Sequence, residues 1–506
     1  MRLPIGIQDF TKLREDGFIY VDKTEFMQPF IDGGMYFLAR PRRFGKSLLL
    51  STLKAAFVGR KDLFKDLWLE QHHDFKEHPV IRMDFSLLDF QMRTLEVSIL
   101  ESLRQTASEY GLVLRQNTAK AAFEELIREL SSRQKVVVLI DEYDKPITDY
   151  LTQPEKRNKH QFILKSIYGV LKPMDQYLHL VFLTGVSKIG KLSLFSDLNN
   201  LSDISLNPKF ATLCGYSKEE ILQTFPDYLE NATTIQQTTP EELWEGLKYW
   251  YNGYSWNAVN RLYCPFSFLL FLENPQFRSF WYDTGTPTFL VKAIRDAQIN
   301  PLEFELTQLP EQAISTTNLD QIDALSLMFQ TGYLTIIGVQ SNVLGTRYDL
   351  SYPNQEVRLA FSRNLLEEYS QNVPSKIGSF SLKLQDALFV LDWDTFFRIS
   401  NEVLAGIPYE MFPKKEIYAN SILHIMLTST GFKTQSQVQT SLGRIDILLE
   451  TFTHNIIFEI KIAGNAQKAL DQINSKQYAT MLTLPVIKVG VVFDLSSKSI
   501  TEWNVE

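Results

Sequence analysis

Apolar runs that end in charge punctuate the first part of the chain. Met35-Tyr-Phe-Leu38 is short and apolar, and Leu48, Leu49, Leu53 and Phe57 follow it at helical spacing. This pattern predicts a buried strand, a turn and an amphipathic helix. Val136 to Ile140 are five consecutive apolar residues ahead of Asp141 and Glu142, as in a strand buried on both faces of a parallel sheet. "PVIRMDFS" around Ile81 and "LHLVFLTGVSK" read as two more strands. Strands alternating with helical stretches predict an open α/β sheet.

Beyond residue 215 the pattern becomes helical. Ser217 with Glu220, and Thr239 with Pro240 and Glu242, are capping-box sequences that announce helices. "KYWYNGYSW", "YCPFSFLLFL" and "FWYDTGTP" are aromatic but poor in basic residues, which favours core packing over stacking on bases. Farther on, "ALSLMFQTGYLTI", "YDLSYPN" and "EVRLAFSRNLLEEY" outline a helix, a glycine turn, paired strands and a further helix. A small winged-helix unit has this order. No cluster of Lys and Arg marks it, so a spacer is the favoured reading over a DNA reader.

Near the C-terminus, "GRIDILLETFTHNIIFEIKI" is two strand-like runs around a polar turn at Thr451 to Asn455. A hairpin closed there sets Asp446 opposite Ile460, within one residue of register, and so beside Glu459 and Lys461. Glu459 and Lys461 are two apart and share a face, while Ile460 points to the core. Upstream, "PKKEIYANSILHIML" presents Glu416 on a helix, and downstream Lys468, Gln472 and Lys476 fall on one helical face.

Composition narrows the class. The chain has 506 residues, 44% hydrophobic and 22% charged, which fits a globular protein of several domains. A net charge of −8 argues against indiscriminate coating of nucleic acid. The cysteines, Cys214 and Cys264, supply neither a disulfide framework nor a zinc quartet, and a reducing cytoplasm is the expected compartment. Pro4, Gly6 and Asp9 interrupt the apolar core that a signal peptide needs, and no stretch approaches a membrane span, so no membrane partner is expected.

The candidate chemistry lies at the ends of the predicted strands. In "RPRRFGKS", Gly45, Lys46 and Ser47 stand where a phosphate-binding loop places its glycine, lysine and hydroxyl, but Arg40 replaces the glycine five residues earlier. Backbone N–H groups would cradle a triphosphate, Lys46 would reach the outer phosphates and Ser47 would hold magnesium. Arg40, Arg42 and Arg43 would add charge. Asp141 would order the magnesium shell, Glu142 would position the attacking water, and Thr184, Ser187 and Lys188 would sense the γ-phosphate. At the other end, Asp446 and Glu459 are hard oxygen ligands for magnesium, and Lys461 would orient a bound water, a set suited to phosphodiester cleavage.

"LPIGIQDF", "YVDKTEF", "RPRRFGKSLLLS", "VVVLIDEYDKP", "FLTGVSK", "YNGYSW", "QTGYLTI", "YPNQEVR", "GRIDILLE", "IFEIKI" and "DQINSKQYA" together resemble the bacterial AAA-ATPase-like proteins that end in a PD-(D/E)xK nuclease-superfamily domain. The resemblance spans nearly the whole chain. It implies a P-loop NTPase parallel sheet over 1–215, a helical lid over 216–300, a winged-helix-like or helical linker over 301–390 and a restriction-endonuclease-like α/β domain over 391–506. ATP and Mg2+ are the implied cofactors. The resemblance implies Lys46, Ser47, Asp141 and Glu142 for nucleotide and magnesium, and Arg40, Arg42, Arg43, Phe44, Gly45, Leu48 and Thr184 complete the expected nucleotide set. Glu416, Asp446, Glu459, Lys461 and Gln472 form the implied nuclease centre. Nucleic acid, DNA in preference to RNA, is the expected partner, and a homo-oligomer is left open. The expected function is an ATP-hydrolysing protein that controls a magnesium-dependent nuclease; the alternative is a signalling or scaffold ATPase that binds without cutting.

Overall fold

The computed structural model describes residues 2–195, 198–281, 290, 294, 299–305, 307–315, 323–370, 372–407, 416–440, 443–476 and 482–506. Five strands form the first sheet: β1 (Gly34–Ala39), β2 (Val80–Asp84), β3 (Val136–Asp141), β4 (Leu178–Gly185) and β5 (Leu201–Asp203). Their order is β2-β3-β4-β1-β5, and every neighbouring pair is parallel. Val136 to Ile140 are fully buried, as a strand covered on both faces requires. Register sets Ala39 beside Gly185 and Ile140 beside Leu183, so the carboxyl ends of β1, β3 and β4 lie together. Parallel α/β sheets bind ligands along that edge.

Both capping boxes form. Ser217 Oγ accepts the Glu220 N–H while the Glu220 carboxylate accepts the Ser217 N–H, and Thr239 and Glu242 repeat the arrangement. Ile221, Phe225, Leu243, Leu247 and Tyr251 from the helices that follow share one apolar cluster with Ile19 and Val21. A helix, Ala324–Thr331, ends at Gly332 with φ of +92°, a conformation that costs glycine nothing. After it come β7 (Thr335–Asn342) and β8 (Gly345–Ser351), an antiparallel hairpin that β6 (Thr307–Pro310) extends in the order β6-β8-β7.

The chain forms two compact units, one of Met1–Phe280 with Gln308–Pro353, the other of Trp281–Thr307 with Asn354–Glu506. This division differs from the four consecutive segments expected. The hairpin of the expected winged-helix segment belongs to the first unit, and the helix Gln355–Ser370 to the second.

The second unit carries β9 (Lys433–Thr440), β10 (Gly443–Glu450), β11 (Asn455–Lys461), β12 (Val486–Asp494) and β13 (Ser499–Val505), in the order β13-β12-β11-β10-β9. Only β11 and β12 are parallel, and the helix Ala466–Ser475 lies in the connection between them. That helix approaches closely: a Cβ at Gly490 would lie 2.4 Å from the Ala466 carbonyl oxygen. Leu470 and Ile473 then pack on Ile445, Leu448 and Ile457. Among the described residues, no helix is long and apolar enough to cross a membrane.

Candidate nucleotide and phosphodiester sites

The loop after β1 turns through two left-handed residues, Arg43 at φ of +70° and Gly45 at +88°, before the helix Lys46–Phe57 begins. Lys46 is buried, and its Nζ donates to the carbonyls of Arg40 and Pro41, each at 2.9 Å. The lysine thus closes the loop with the loop's own oxygens. Burial lowers its pKa, and the charges of Asp141 and Glu142 oppose that.

Arg40 departs from the expected role. Its guanidinium is 1% exposed and turns away beneath the loop, donating to the carbonyls of Ala39 at 2.9 Å, Ser205 at 2.7 Å and Phe210 at 3.0 Å. The Trp256 ring covers it at 4.1 Å. Burial brings its pKa down to about 10. A glycine at this position would leave those buried carbonyls short of donors, so Arg40 serves as the loop's foundation. Phe44 is likewise buried, edge-on to Tyr254 and Trp256 at 4.7 and 5.5 Å. The aromatic "YNGYSW" stretch therefore packs as core against the loop. Ser255 N–H donates to Thr335 Oγ1 at 2.7 Å, and a Cβ on Gly253, at φ of +111°, would meet the Pro353 carbonyl oxygen at 2.0 Å.

Across the sheet edge, Asp141 is fully buried. Its Oδ1 accepts Thr184 Oγ1–H at 2.6 Å and the Glu142 N–H at 3.1 Å. Its Oδ2 has no hydrogen-bond partner among the described residues and lies 3.9 Å from Arg82. Glu142 adopts φ of +50°, a strained backbone for a non-glycine residue. Burial raises its pKa, Lys46 pulls the other way, and Asp144 and Asp141 add to the rise. Two of the expected γ-phosphate sensors are engaged elsewhere. Ser187 donates from Oγ to Asp144 at 2.6 Å, and Lys188 pairs with Asp203 at 2.8 Å. Thr184 alone of the three sits on the Asp141 carboxylate.

A pocket of about 590 Å³ opens along this edge. Arg42, Arg43, Phe44, Gly45, Lys46, Ser47, Leu48 and Glu142 line it, so most of the expected nucleotide set meets at one cavity, and Arg40, Asp141 and Thr184 are outside its lining. Sequence reasoning gave no role to the rest of the wall. Pro4, Ile7, Ile19, Val21, Tyr216, Phe266 and Leu269 supply an apolar side, and Ser86 and Lys145 line it with Glu142. The signal for Pro4, Ile7 and Val21 was present in "LPIGIQDF" and "YVDKTEF", whose distance from the loop in sequence hid their place in the fold.

In the second unit, Ile447 pairs with Phe458, which sets Asp446 opposite Glu459, one residue from the central expectation and within its margin. Asp446 Oδ2 accepts the Ile460 N–H at 3.0 Å, and the Ile460 side chain is buried. Glu459 is 1% exposed. Its Oε1 accepts from Lys461 Nζ at 2.9 Å and from Gln472 Nε2, while Lys461 Nζ also donates to Gln472 Oε1 at 2.8 Å. Sheet and helix thus bring Asp446, Glu459, Lys461 and Gln472 together. Lys468 and Lys476 are exposed on the same helical segment. Glu416 opens the helix Glu416–Ser429, but its side chain lies outside the described part of the structure. Among the described residues no group of three or more His, Cys, Asp or Glu side chains is placed to hold a metal. The donor chemistry still fits magnesium, which binds through one or two carboxylates and keeps its waters.

Comparison with known proteins finds a family for the sheet at each end of the chain. The family profile described as "Predicted AAA-ATPase" matches residues 4–195, and that of the PD-(D/E)XK nuclease superfamily matches residues 414–503. A protein of Azotobacter chroococcum mcd 1, described as "Uncharacterized protein in vnfD 5'region", is 36% identical over 523 aligned positions that cover 100% of this chain and 99% of the relative. A phosphate-loop fold at one end, a carboxylate-lysine sheet at the other and similarity along the full length give one conclusion: the chain belongs to the AAA-ATPase-like proteins with a C-terminal PD-(D/E)XK nuclease-superfamily domain.

Proposed function

We propose that the chain binds and hydrolyses ATP in the 590 Å³ pocket, and that its nucleotide state controls magnesium-dependent cleavage of nucleic-acid phosphodiesters by the second unit. The observation that carries the first part is the meeting of Lys46, Ser47 and Glu142 in one cavity that also has an apolar side. ATP would take the Arg40 and Pro41 carbonyls' place as the partner of Lys46 Nζ. Loop N–H groups from Arg42 to Leu48 would hold phosphates, with Ser47 and Asp141 holding magnesium, which neutralises phosphate charge when bound. The raised pKa of Glu142 makes it a better acceptor for a proton from water.

In the second unit, Asp446 and Glu459 would hold the magnesium, with Glu416 as a further ligand, and the ion supplies an activated water and charge for the leaving oxygen. Lys461 keeps its ammonium beside the Glu459 carboxylate, where it can orient a water, and Gln472 holds both in place. DNA is favoured over RNA as substrate, in a cytoplasmic setting. The test is digestion of DNA and RNA with magnesium, without nucleotide and with ATP or ADP. Cutting that depends on Asp446 and responds to nucleotide supports the whole reading; cutting indifferent to nucleotide removes the control.

One observation favours a second reading, a scaffold ATPase whose nuclease-like unit binds without cutting. Lys461 and Gln472 both bond Glu459 Oε1, and the carboxylate is almost fully buried. Nucleic acid bound equally by the wild type and Asp446→Ala, with no cleavage by either, would select it.

A further inference from the structure

Four residues follow β3 in one turn, and they divide cleanly by neighbourhood. Tyr143 and Asp144 are buried anchors. Tyr143 donates its hydroxyl to the carbonyls of Ser187 at 3.0 Å and Ile189 at 3.1 Å. Asp144 accepts the Ser187 N–H at 2.8 Å, the Ser187 hydroxyl at 2.6 Å and the Val186 N–H at 3.2 Å. Glu142 and Lys145 flank these anchors, and both line the nucleotide pocket. The Lys145 N–H donates to the Glu142 carbonyl at 3.0 Å, so the acid and the ammonium ride on one fixed turn.

The pocket wall holds five cations, Lys23, Arg42, Arg43, Lys46 and Lys145. Lys23 is tied to Glu220 at 2.6 Å and to the Thr212 carbonyl at 2.7 Å. Arg43 lies over the Phe266 ring at 3.6 Å. Lys46 is buried at the loop, and Arg42 is exposed. Lys145 differs from them in riding on the same short turn as Glu142, on a half-buried stem, with Asp149 one turn on at 3.0 Å from its ammonium. That acid gives the ammonium a resting place from which a more negative group can draw it.

We infer that Lys145 is a catalytic residue, the cation that meets the γ-phosphate oxygens as ATP is hydrolysed, supplied by the same chain that binds the nucleotide. This rests on the ATPase reading and goes beyond it. In phosphoryl transfer the protein must neutralise charge on the departing group, and a cation supplied in cis removes the need for a neighbouring copy to provide it. In the hydrolysis itself water adds to the γ-phosphorus, the bond to the β-phosphate oxygen breaks, and a proton passes toward Glu142. Lys145 transfers nothing; it leaves Asp149 for the phosphoryl oxygens and returns as phosphate departs.

Calorimetric titration and steady-state turnover of Lys145→Gln and Lys145→Arg test this. In Lys145→Gln, turnover should fall by about 100-fold or more, as for loss of a transition-state cation, while the Kd for ATP changes by less than about threefold. Its affinity for ADP with aluminium fluoride, a planar mimic of the transferring phosphoryl group, should fall in parallel. Lys145→Arg should recover part of both, and mixing Lys145→Gln with Lys46→Ala should restore nothing. Unchanged turnover and mimic affinity in Lys145→Gln overturn the role, and restoration on mixing moves the cation to a neighbouring copy. A wild type that binds ATP without turning it over overturns the hydrolysis reading along with this role; one that turns it over with Lys145→Gln unaffected keeps the reading and loses only Lys145.

Discussion

Each unit pairs a lysine with two acids at the end of a sheet, yet the two lysines are held differently. Lys46 bonds main-chain carbonyls of its own loop, and Asp141 keeps its hydrogen bonds for Thr184 and the Glu142 N–H. Lys461 bonds the Glu459 carboxylate itself, with Gln472 closing the triangle. Carbonyls are weaker partners for an ammonium than phosphate oxygens, so the first arrangement yields readily to an anionic ligand. In the second, Lys461 offsets one of the two carboxylate charges, so a cation bound there would share Glu459 with Lys461. The same three residue types thus leave one lysine held by neutral oxygens and the other by a carboxylate.

The sharpest way to break this contrast is substitution of each lysine. Lys46→Ala should weaken ATP binding by about 100-fold or more in a calorimetric titration, through loss of a charged partner for the phosphates. Lys461→Ala should leave ATP binding unchanged and abolish detectable cutting, while magnesium binding to the second unit tightens because Glu459 is released. Equal magnesium affinity in the two proteins would show that Lys461 does not compete with the metal.

Arg40→Ala should come next in size. It strips donors from the carbonyls of Ser205 and Phe210 and empties the space under Trp256, with an expected loss of about 3 kcal/mol in denaturant unfolding. Arg40→Lys should recover little, because a point charge does not reproduce the planar fork. A variant as stable as wild type but unable to bind ATP would return Arg40 to the phosphate-contacting role.

The smallest effect is a difference in acid response. Burial lowers the pKa of His73 and of His78 in the first unit, with their neighbouring histidines adding to it. Their folded values lie below the unfolded one, so the unfolded chain gains protons first, and stability should decline as pH falls below about 6.5. In the second unit burial would raise Glu305, but His424, together with Arg358 at 2.9 Å, holds it down to about 2. Its stabilisation is present above about 4.5 and is lost as pH falls from there toward 2. Hydrogen exchange followed from pH 7 to pH 4 should therefore show the first unit loosening before the second; the reverse order would contradict these assignments.

What was legible in the sequence is what local chemistry dictates. The strands at Met35–Leu38 and Val136–Ile140 announced themselves by apolar runs, the two capping boxes by residue spacing, and the Asp446 and Glu459 neighbourhood by hairpin register. Partners far apart in sequence were not legible. Arg40 looks like loop charge until Ser205, Phe210 and Trp256 are brought beneath it. Lys188 looks like a phosphate sensor until Asp203, on the edge strand β5, takes its ammonium. The pocket's apolar wall comes from residues 4–21 and 213–269, which no local pattern connects.

The path of the chain between the two units has a consequence for dissection and inheritance. It crosses at 280/281, 307/308 and 353/354, so each unit is completed by a segment that lies beyond the other in sequence. No single proteolytic cut can release both units whole. A cut after Pro353 leaves the C-terminal piece without Glu305, the partner of Arg358 and His424, and a fragment ending at Phe280 lacks Thr335, which holds Ser255 beside the aromatic clamp. Recombination at one joint would likewise splice the two units together with a piece of each missing, so the two are expected to travel through genomes as one gene.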